Sequence, residues 1–185
     1  SLRLAALADV ARRLNERLSS DADGAVVVQG TDTIEETAFL LDLLNATDRP
    51  VVMTGAMRSP HAPGADGPAN LLDAVTVAGD PASEGLGAVT VLNGEVHAAR
   101  YVRKLHTERP SAFGSPSLGP IGAVSEGRLR LLARPGAGHR IALPDDAGDR
   151  GVGRRVRVLR CDRQVRARDG RHAGRRSPSR VVRSQ

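Results

Sequence analysis

The stretch Gln29-Gly30-Thr31-Asp32-Thr33-Ile34-Glu35-Glu36 joins an apolar run at residues 25–28 to a Leu-rich segment with helical spacing. A short β-branched run followed by a loop and a helix predicts a buried parallel strand, whose C-terminal end is where α/β sheets usually bind ligands. Thr33 and Glu36 have the spacing of a capping box, so we expect Thr33 to cap the helix and Thr31 and Asp32 to stay free on the loop. The alternative, in which all three polar residues only cap the helix, stays open.

Segments with helical and strand patterns alternate along the chain after this loop. The predicted helices cover residues 4–18, 34–45 and 67–79, and the predicted strands after the first cover 51–54, 88–92, 95–102, 121–124 and 128–133. Asn93-Gly94 predicts a two-residue turn, and Asp66 with Pro68 is typical of a helix start. A strand, helix, strand order indicates parallel pairing. We therefore expect an α/β fold with three layers and a mostly parallel sheet.

The composition indicates one aliphatic domain. The 185 residues are 40% hydrophobic but include no Trp, one Tyr and two Phe. The single cysteine, Cys161, excludes an internal disulfide, and no apolar run approaches the length of a membrane span. The chain begins within a helical pattern and without signal-peptide features, so we expect a truncated N-terminus, a cytoplasmic location and no membrane partner.

Charge is distributed unevenly along the chain. Residues 150–185 hold 13 arginines and two acidic residues, whereas residues 1–149 hold 14 basic and 19 acidic residues, so the net charge of +6 comes from the tail. The tail has three interpretations: a basic arm that binds nucleic acid through its phosphates, a solvated face without function, or coding sequence read out of frame. We divide the chain into a domain at 1–135, a linker at 136–149 and an Arg-rich tail of low order at 150–185.

Lys104 is the only lysine among the 27 basic residues. An amine can give up its proton where its surroundings favour the neutral form, whereas a guanidinium stays charged. Lys104 is therefore a candidate proton carrier.

We interpret the other polar candidates as structural. Asp66 is expected to cap a helix, and Arg58 to brace a loop. His97 and His106 lack the partner spacing of a metal site, so no metal-binding residue is predicted. The remaining candidates are serines outside any nucleophile motif: Ser115 and Ser117.

Several separated blocks of the chain resemble the bacterial-type L-asparaginase/glutaminase family, in the family's order and at similar spacing. The first continues the opening stretch as Thr37-Ala38, and the others are Pro50-Val51-Val52-Met53-Thr54-Gly55-Ala56-Met57-Arg58, Ala65-Asp66-Gly67-Pro68-Ala69-Asn70-Leu71, and Lys104-Leu105-His106-Thr107 followed by Ala112-Phe113 and Gly119-Pro120-Ile121-Gly122. The resemblance covers residues 1–135, which correspond to the later part of the family's larger N-terminal domain.

The resemblance implies hydrolysis of a side-chain amide to a carboxylate and ammonia, without a metal or a cofactor. Asparagine is the implied substrate, and glutamine is the alternative. Thr31, Asp32 and Lys104 match a catalytic Thr–Asp–Lys arrangement in which the amine takes the hydroxyl proton and the carboxylate orients the amine. This agrees with general chemistry, because a hydroxyl is a poor nucleophile until a base takes its proton.

The resemblance also implies a set of substrate-binding residues. Asp32 pairs with the α-amino group of the substrate, and Ser1 lies near the family's serine for the substrate carboxylate. Gly30 and the loop around Ala56 provide close backbone approach and an oxyanion donor. With Thr31, these residues form the expected binding site.

The sequence departs from the family pattern at both ends. The Thr-Gly-Gly-Thr-type segment with the family's primary nucleophilic threonine is absent, and so is the flap tyrosine that follows it. No trace of the smaller C-terminal domain follows residue 135, which is why we favour the out-of-frame interpretation of the tail. We therefore expect a fragment with little activity alone, from a family that assembles as homotetramers.

Two alternative functions remain open at this point. One is the asparaginase-like subunit of a transfer-RNA-dependent amidotransferase, which delivers ammonia to a partner. The other is a nucleic-acid-binding protein that uses the basic tail.

Overall fold

The computed structural model describes residues 4–136, 138–143 and 157–161. These residues form three α-helices, namely α1 (Leu4–Ser20), α2 (Ile34–Leu44) and α3 (Gly67–Ala78). Single turns of 3-10 helix lie at Thr31–Thr33 and Pro81–Ser83. The strands are β1 (Gly24–Val28), β2 (Val51–Thr54), β3 (Ala88–Leu92), β4 (Glu95–Ala98), β5 (Arg103–Lys104), β6 (Phe113–Gly114), β7 (Gly122–Ser125), β8 (Arg128–Leu131) and β9 (Arg157–Cys161).

Seven strands form the main sheet in the order β8-β7-β4-β3-β2-β1-β9. The pairs β1–β2 and β2–β3 are parallel, and the flanking pairs are antiparallel. The predicted α/β fold is therefore confirmed, with the parallel part of the sheet at its centre. Helices of the described residues are too short or too polar to cross a bilayer.

Helices cover both faces of the sheet, which gives the three predicted layers. Successive strand residues point to opposite faces, so Val27 and Met53 join the core formed with α1 and α2, while Val26 and Val52 join the core formed with α3. All four side chains are fully buried. An aliphatic core was predicted from the composition, and these two clusters confirm it.

The positions of α2 and α3 determine the handedness of the two crossover connections between the parallel strands. The chain passes from β1 through α2 to β2 and from β2 through α3 to β3, always in the same direction across the sheet. Because α2 and α3 lie on opposite faces, the two crossovers have opposite hands. One of them is therefore left-handed, which is rare among parallel β–α–β units.

The predicted tight turn at Asn93-Gly94 is confirmed, and a second turn of the same kind lies at Glu126-Gly127. Asn93 and Gly94 both have positive φ, at 53° and 75°, and connect β3 to β4. Glu126 and Gly127 have φ of 52° and 68° and connect β7 to β8. This left-handed backbone suits the twist of an antiparallel hairpin.

The chain leaves the main sheet earlier than predicted. Residues 95–102 were expected to be extended, but the strand ends at Ala98, whose carbonyl accepts the backbone N–H groups of Tyr101 and Val102 at 3.0 and 3.1 Å. After this turn, β5 pairs with β6 in a separate two-stranded hairpin, in which Lys104 lies opposite Phe113. The buried Phe113 belongs to the core on the α2 side of the sheet.

A short part of the predicted tail pairs with the main sheet. Residues 157–161 form β9, which pairs antiparallel with β1 from Gly24 opposite Cys161 to Val28 opposite Arg157. The edge of β1 away from β2 has backbone N–H and C=O groups that this extended segment satisfies. The rest of the tail lies outside the described residues, and the division of the chain into three segments stays a prediction.

Candidate active site

The loop after β1 turns directly into α2. The Gln29 N–H donates to Thr54 O at 3.1 Å and ties the ends of β1 and β2 together. Gly30 then leads into the 3-10 turn of Thr31–Thr33, which continues into α2. Thr31 and Asp32 thus lie at the C-terminal edge of the parallel strands, where the sequence predicted a ligand site.

Thr33 precedes α2 but does not cap it. Its side chain makes no capping hydrogen bond, and its φ and ψ of −134° and 22° differ from the extended conformation of a capping residue. The predicted capping box is therefore wrong, because the preceding 3-10 turn sets this backbone conformation. The Thr33 hydroxyl accepts a long hydrogen bond of 3.5 Å from Gln29 Nε2.

The structure brings Lys104 to Thr31 and Asp32, which lie 73 and 72 positions earlier in the sequence. Lys104 Nζ donates to Thr31 Oγ1 at 3.0 Å and to Asp32 Oδ1 at 2.7 Å. The lysine side chain is 16% exposed and the aspartate side chain is 94% exposed. The amine is therefore held between a half-buried hydroxyl and a carboxylate that faces solvent.

The charges of this group favour an ionised Asp32. The hydrogen bond from Lys104, and then its positive charge, hold the pKa of Asp32 below its ordinary value. A carboxylate beside the amine attracts the proton that the amine would gain from a hydroxyl. The contact between Nζ and Thr31 Oγ1 is short enough for that proton transfer.

Glu35 also contacts Lys104, and sequence reasoning missed it. The Lys104 backbone N–H donates to Glu35 Oε2 at 2.7 Å, which links β5 to the first turn of α2. Residues four apart lie on the same face of a helix. The position of Glu35, four residues after Thr31, was therefore the sequence signal that could have identified it. Glu35 fixes the lysine backbone from the same segment that carries Thr31 and Asp32.

The end of β2 approaches this loop closely at Gly55. A Cβ atom on Gly55 would lie 2.6 Å from Gln29 O and 3.2 Å from Thr31 Cγ2, so only glycine fits here. Ala56, one residue later, is exposed. A Cβ atom on Gly30 would meet no atom within 4 Å, and its φ of −64° is an ordinary one.

Asp66 braces the loop after β2 and does not cap α3. Its carboxylate accepts the backbone N–H groups of Met57 and Arg58 at 3.0 and 2.9 Å, and also Asn70 Nδ2 at 3.1 Å. No side-chain cap is formed, so that prediction is wrong. Partial burial would raise the pKa of Asp66, but these hydrogen bonds outweigh it and hold the pKa below its ordinary value. Arg58 donates to Gly64 O at 3.1 Å, which confirms its bracing role.

The other predicted positions lie apart from the lysine or outside the described residues. Ser1 lies outside them. His106 and Ser117 are exposed, and His97 is buried with Ser115 as a hydrogen-bond partner. Within the described ranges, no three His, Cys, Asp or Glu side chains converge as they would on a metal ion.

Comparison with known proteins follows the same segments. The family described as "Asparaginase, N-terminal" matches residues 1–136. L-asparaginase 2 of Bacillus subtilis is 46% identical over 121 residues, which are 65% of this chain and 32% of that protein. Glutaminase-asparaginase of Pseudomonas fluorescens is 41% identical over 134 residues, which are 72% of this chain and 37% of that protein.

A solved structure gives the same result for the fold. The crystal structure of the probable cytoplasmic L-asparaginase of Campylobacter jejuni matches with a TM-score of 0.75 and 31% identity, over 80% of this chain and 47% of that one. The chain thus spans about a third of the length of the curated relatives it matches.

Proposed function

This chain belongs to the asparaginase family through the family's N-terminal domain, and on that premise we propose that it contributes the Thr–Asp–Lys part of an enzyme that hydrolyses L-asparagine to L-aspartate and ammonia. The observation that carries the proposal is the position of Lys104 Nζ, 3.0 Å from Thr31 Oγ1 and 2.7 Å from Asp32 Oδ1. Glutamine is the second candidate substrate, since one relative bears the name glutaminase-asparaginase.

We propose a threonine hydroxyl as the nucleophile, with Thr31 as the hydroxyl in contact with the amine. The Lys104 amine first gives up a proton to solvent, and the Thr31 oxygen then forms a bond to the amide carbon while the hydroxyl proton passes to that amine. The C–N bond then breaks, and the leaving nitrogen takes that proton from Lys104 and departs as ammonia. Water attacks the resulting acyl ester, which releases aspartate and restores the hydroxyl.

The remaining polar groups suit the recognition of an amino acid. Asp32 points its carboxylate into solvent, where the α-ammonium group of a substrate could pair with it. Gly30 has open space where a side chain would stand, which leaves room for a ligand over the loop. Ser1 and the Ala56 backbone complete the proposed binding set by resemblance to the family.

Glu35 belongs to the proposed site as a positioning residue. Its carboxylate oxygen Oε2 accepts the backbone N–H of Lys104 at 2.7 Å. Glu35 follows Thr31 in the sequence by about one helical turn. A single side chain thereby fixes the distance between the base and the hydroxyl. The proposal assigns Glu35 no contact with the substrate.

We further propose that the complete enzyme is a cytoplasmic homo-oligomer, and that the 185 residues have little activity alone. The relative of solved structure bears the name cytoplasmic L-asparaginase, which supports the location. The amidotransferase and nucleic-acid alternatives stay predictions from the sequence, since no contact among the described residues favours either.

A chimera tests the proposed function. The 121 aligned residues of this chain would replace their counterparts in the Bacillus subtilis relative, and ammonia release from L-asparagine would be measured. We expect a folded, active chimera that loses its activity on Lys104→Met and keeps it on Arg103→Met, an exposed neighbour. A folded chimera without activity, or an active Lys104→Met variant, would contradict the proposal.

A further inference from the structure

Three polar side chains form a hydrogen-bonded chain between β4 and the segment after β6. His97 Nδ1 lies 3.0 Å from Ser115 Oγ, and His97 Nε2 lies 3.2 Å from Glu95 Oε2. His97 is 1% exposed and Ser115 is 6% exposed, whereas Glu95 reaches solvent. No hydrogen bond or ion pair joins any of these three residues to Thr31, Asp32 or Lys104.

The chemistry of the partners fixes the protons of this chain. An ionised carboxylate only accepts hydrogen bonds, so His97 Nε2 carries the hydrogen that Glu95 accepts. Nδ1 of the neutral ring is then an acceptor, and the Ser115 hydroxyl donates to it. Burial lowers the pKa of His97, and the charge of Glu95 opposes that shift, which agrees with a neutral ring.

The arrangement does not suit a second hydrolytic site. In a Ser–His–Asp triad, Nε2 faces the hydroxyl and Nδ1 faces the carboxylate, whereas here the two nitrogens are exchanged. Ser115 is also buried, so a substrate could not reach its hydroxyl. We therefore assign these three side chains a structural role within the fold.

That role follows from the hairpin that carries Lys104. Strands β5 and β6 have two residues each and pair only with one another, away from the seven-stranded sheet. So short a hairpin is not stable by itself. Phe113 lies opposite Lys104, and Ser115 follows β6 directly, so whatever holds Ser115 holds the partner strand of the lysine.

We propose that Glu95, His97 and Ser115 form a positioning relay, which anchors the β5–β6 hairpin to β4 and thereby holds the Lys104 amine at Thr31 and Asp32. The relay acts through β6 and touches neither the amine nor a substrate. Its relevance to catalysis rests on the proposed function, whereas its effect on the position of Lys104 does not.

The single lysine of the chain makes the proposal measurable without a substrate. In the 185-residue protein labelled with ¹³C and ¹⁵N lysine, the Cε and Nζ signals come from Lys104 alone. Amine-selective acetylation followed by mass spectrometry reports how often Lys104 leaves its partners. Both readouts respond to the position of the amine. That position would not change if the relay only stabilised the fold.

We expect Ser115→Ala to shift the Lys104 Cε signal and to raise its acetylation rate about fivefold, the effect of losing one ordinary hydrogen bond. Ser115→Thr keeps the hydroxyl and should restore the parent values, and Ser117→Ala, an exposed serine of the same loop, is the matched control. Wild-type signals and reactivity in a folded Ser115→Ala protein would overturn the proposal.

A second variant covers the case in which Ser115→Ala does not fold. Glu95 reaches solvent, so Glu95→Ala is tolerated more easily, and it should change Lys104 in the same direction, whereas the exposed Glu108→Ala should not. Equal Lys104 behaviour in the Glu95 and Glu108 variants would refute the relay. If the relay holds Lys104 but the chimera releases no ammonia, only the proposed function fails.

Discussion

Glu35→Ala removes the carboxylate that joins the strand of Lys104 to the helix after Thr31 and Asp32. A hydrogen bond to a charged group contributes about 1.5–3 kcal/mol net. Glu35 and Lys104 are both half-buried, so solvent can partly replace the lost acceptor, and we expect the lower end, about 1.5 kcal/mol. For a domain of this size that loss lowers Tm by roughly 3–6 °C.

Two further variants separate the hydrogen bond from the charge. Glu35→Gln keeps an oxygen acceptor for the Lys104 N–H and should lose only about 0.5–1 kcal/mol. Glu36→Ala removes the same charge from the same helical turn at an exposed position, and should cost about 0.3–1 kcal/mol through the helix dipole.

Urea unfolding and thermal unfolding of the four proteins measure these differences. The reasoning requires the order wild type, Glu35→Gln, Glu35→Ala in falling stability, with a larger Lys104 acetylation rate in Glu35→Ala than in Glu36→Ala. Identical stability and lysine reactivity in Glu35→Ala and Glu36→Ala would show that the 2.7 Å contact does not hold Lys104 in solution.

Three other predictions concern the loop and the tail. Lys104 depresses the pKa of Asp32 in the folded protein, so the ion pair stabilises the fold fully above the ordinary aspartate pKa, and this stabilisation is lost as the pH falls through the depressed pKa. We therefore expect the Tm values of the wild type and of Asp32→Asn to converge at acidic pH. A difference in Tm that persists at acidic pH would contradict this reasoning. Gly55→Ala should lower the free energy of unfolding in urea by about 1–3 kcal/mol, since its Cβ atom would meet backbone. Gly30→Ala should leave that free energy unchanged or slightly raised, and it should weaken asparagine binding measured by calorimetry. Equal stabilities of the two variants would refute the packing argument. Deletion of residues 150–185 should abolish any salt-dependent retention on DNA, and retention by the shortened chain would remove the tail from the nucleic-acid alternative.

Local patterns predicted the order of the elements well. The apolar run at residues 25–28 predicted β1, and the Leu-rich segment after it predicted α2, because strand and helix periodicities differ clearly over such lengths. Asn93-Gly94 gave a turn because few other pairs adopt positive φ twice at low cost. The location of Thr31 and Asp32 at the sheet edge followed from that order.

Side-chain partners were predicted less well, since they depend on tertiary competition for each polar group. Thr33 and Asp66 have the sequence spacing of helix caps, yet Asp66 is taken by the amides of Met57 and Arg58. Patterns in the local sequence predict only nearby hydrogen-bond partners and cannot identify donors from more distant parts of the chain. Glu35 was missed for the same reason, because its partner Lys104 lies 69 positions away.

The extent of regular structure around Lys104 also escaped prediction. Strands β5 and β6 are too short to show a period of two, and their position depends on Phe113 and on the His97–Ser115 contact. Strand β9 was missed because pairing with the open edge of β1, not its own sequence, orders the segment. The tail beyond it stays a prediction.

A double-mutant cycle tests the central claim, that Thr31 and Lys104 act as one proton-transferring unit, most directly. Ammonia release from L-asparagine would be measured in the active chimera with Thr31→Val, with Lys104→Met and with both changes. Residues that serve one step lose their effect together, so the double variant should be no slower than the slower single variant. Rate losses that multiply in the double variant would contradict the claim, despite the 3.0 Å contact between the two side chains.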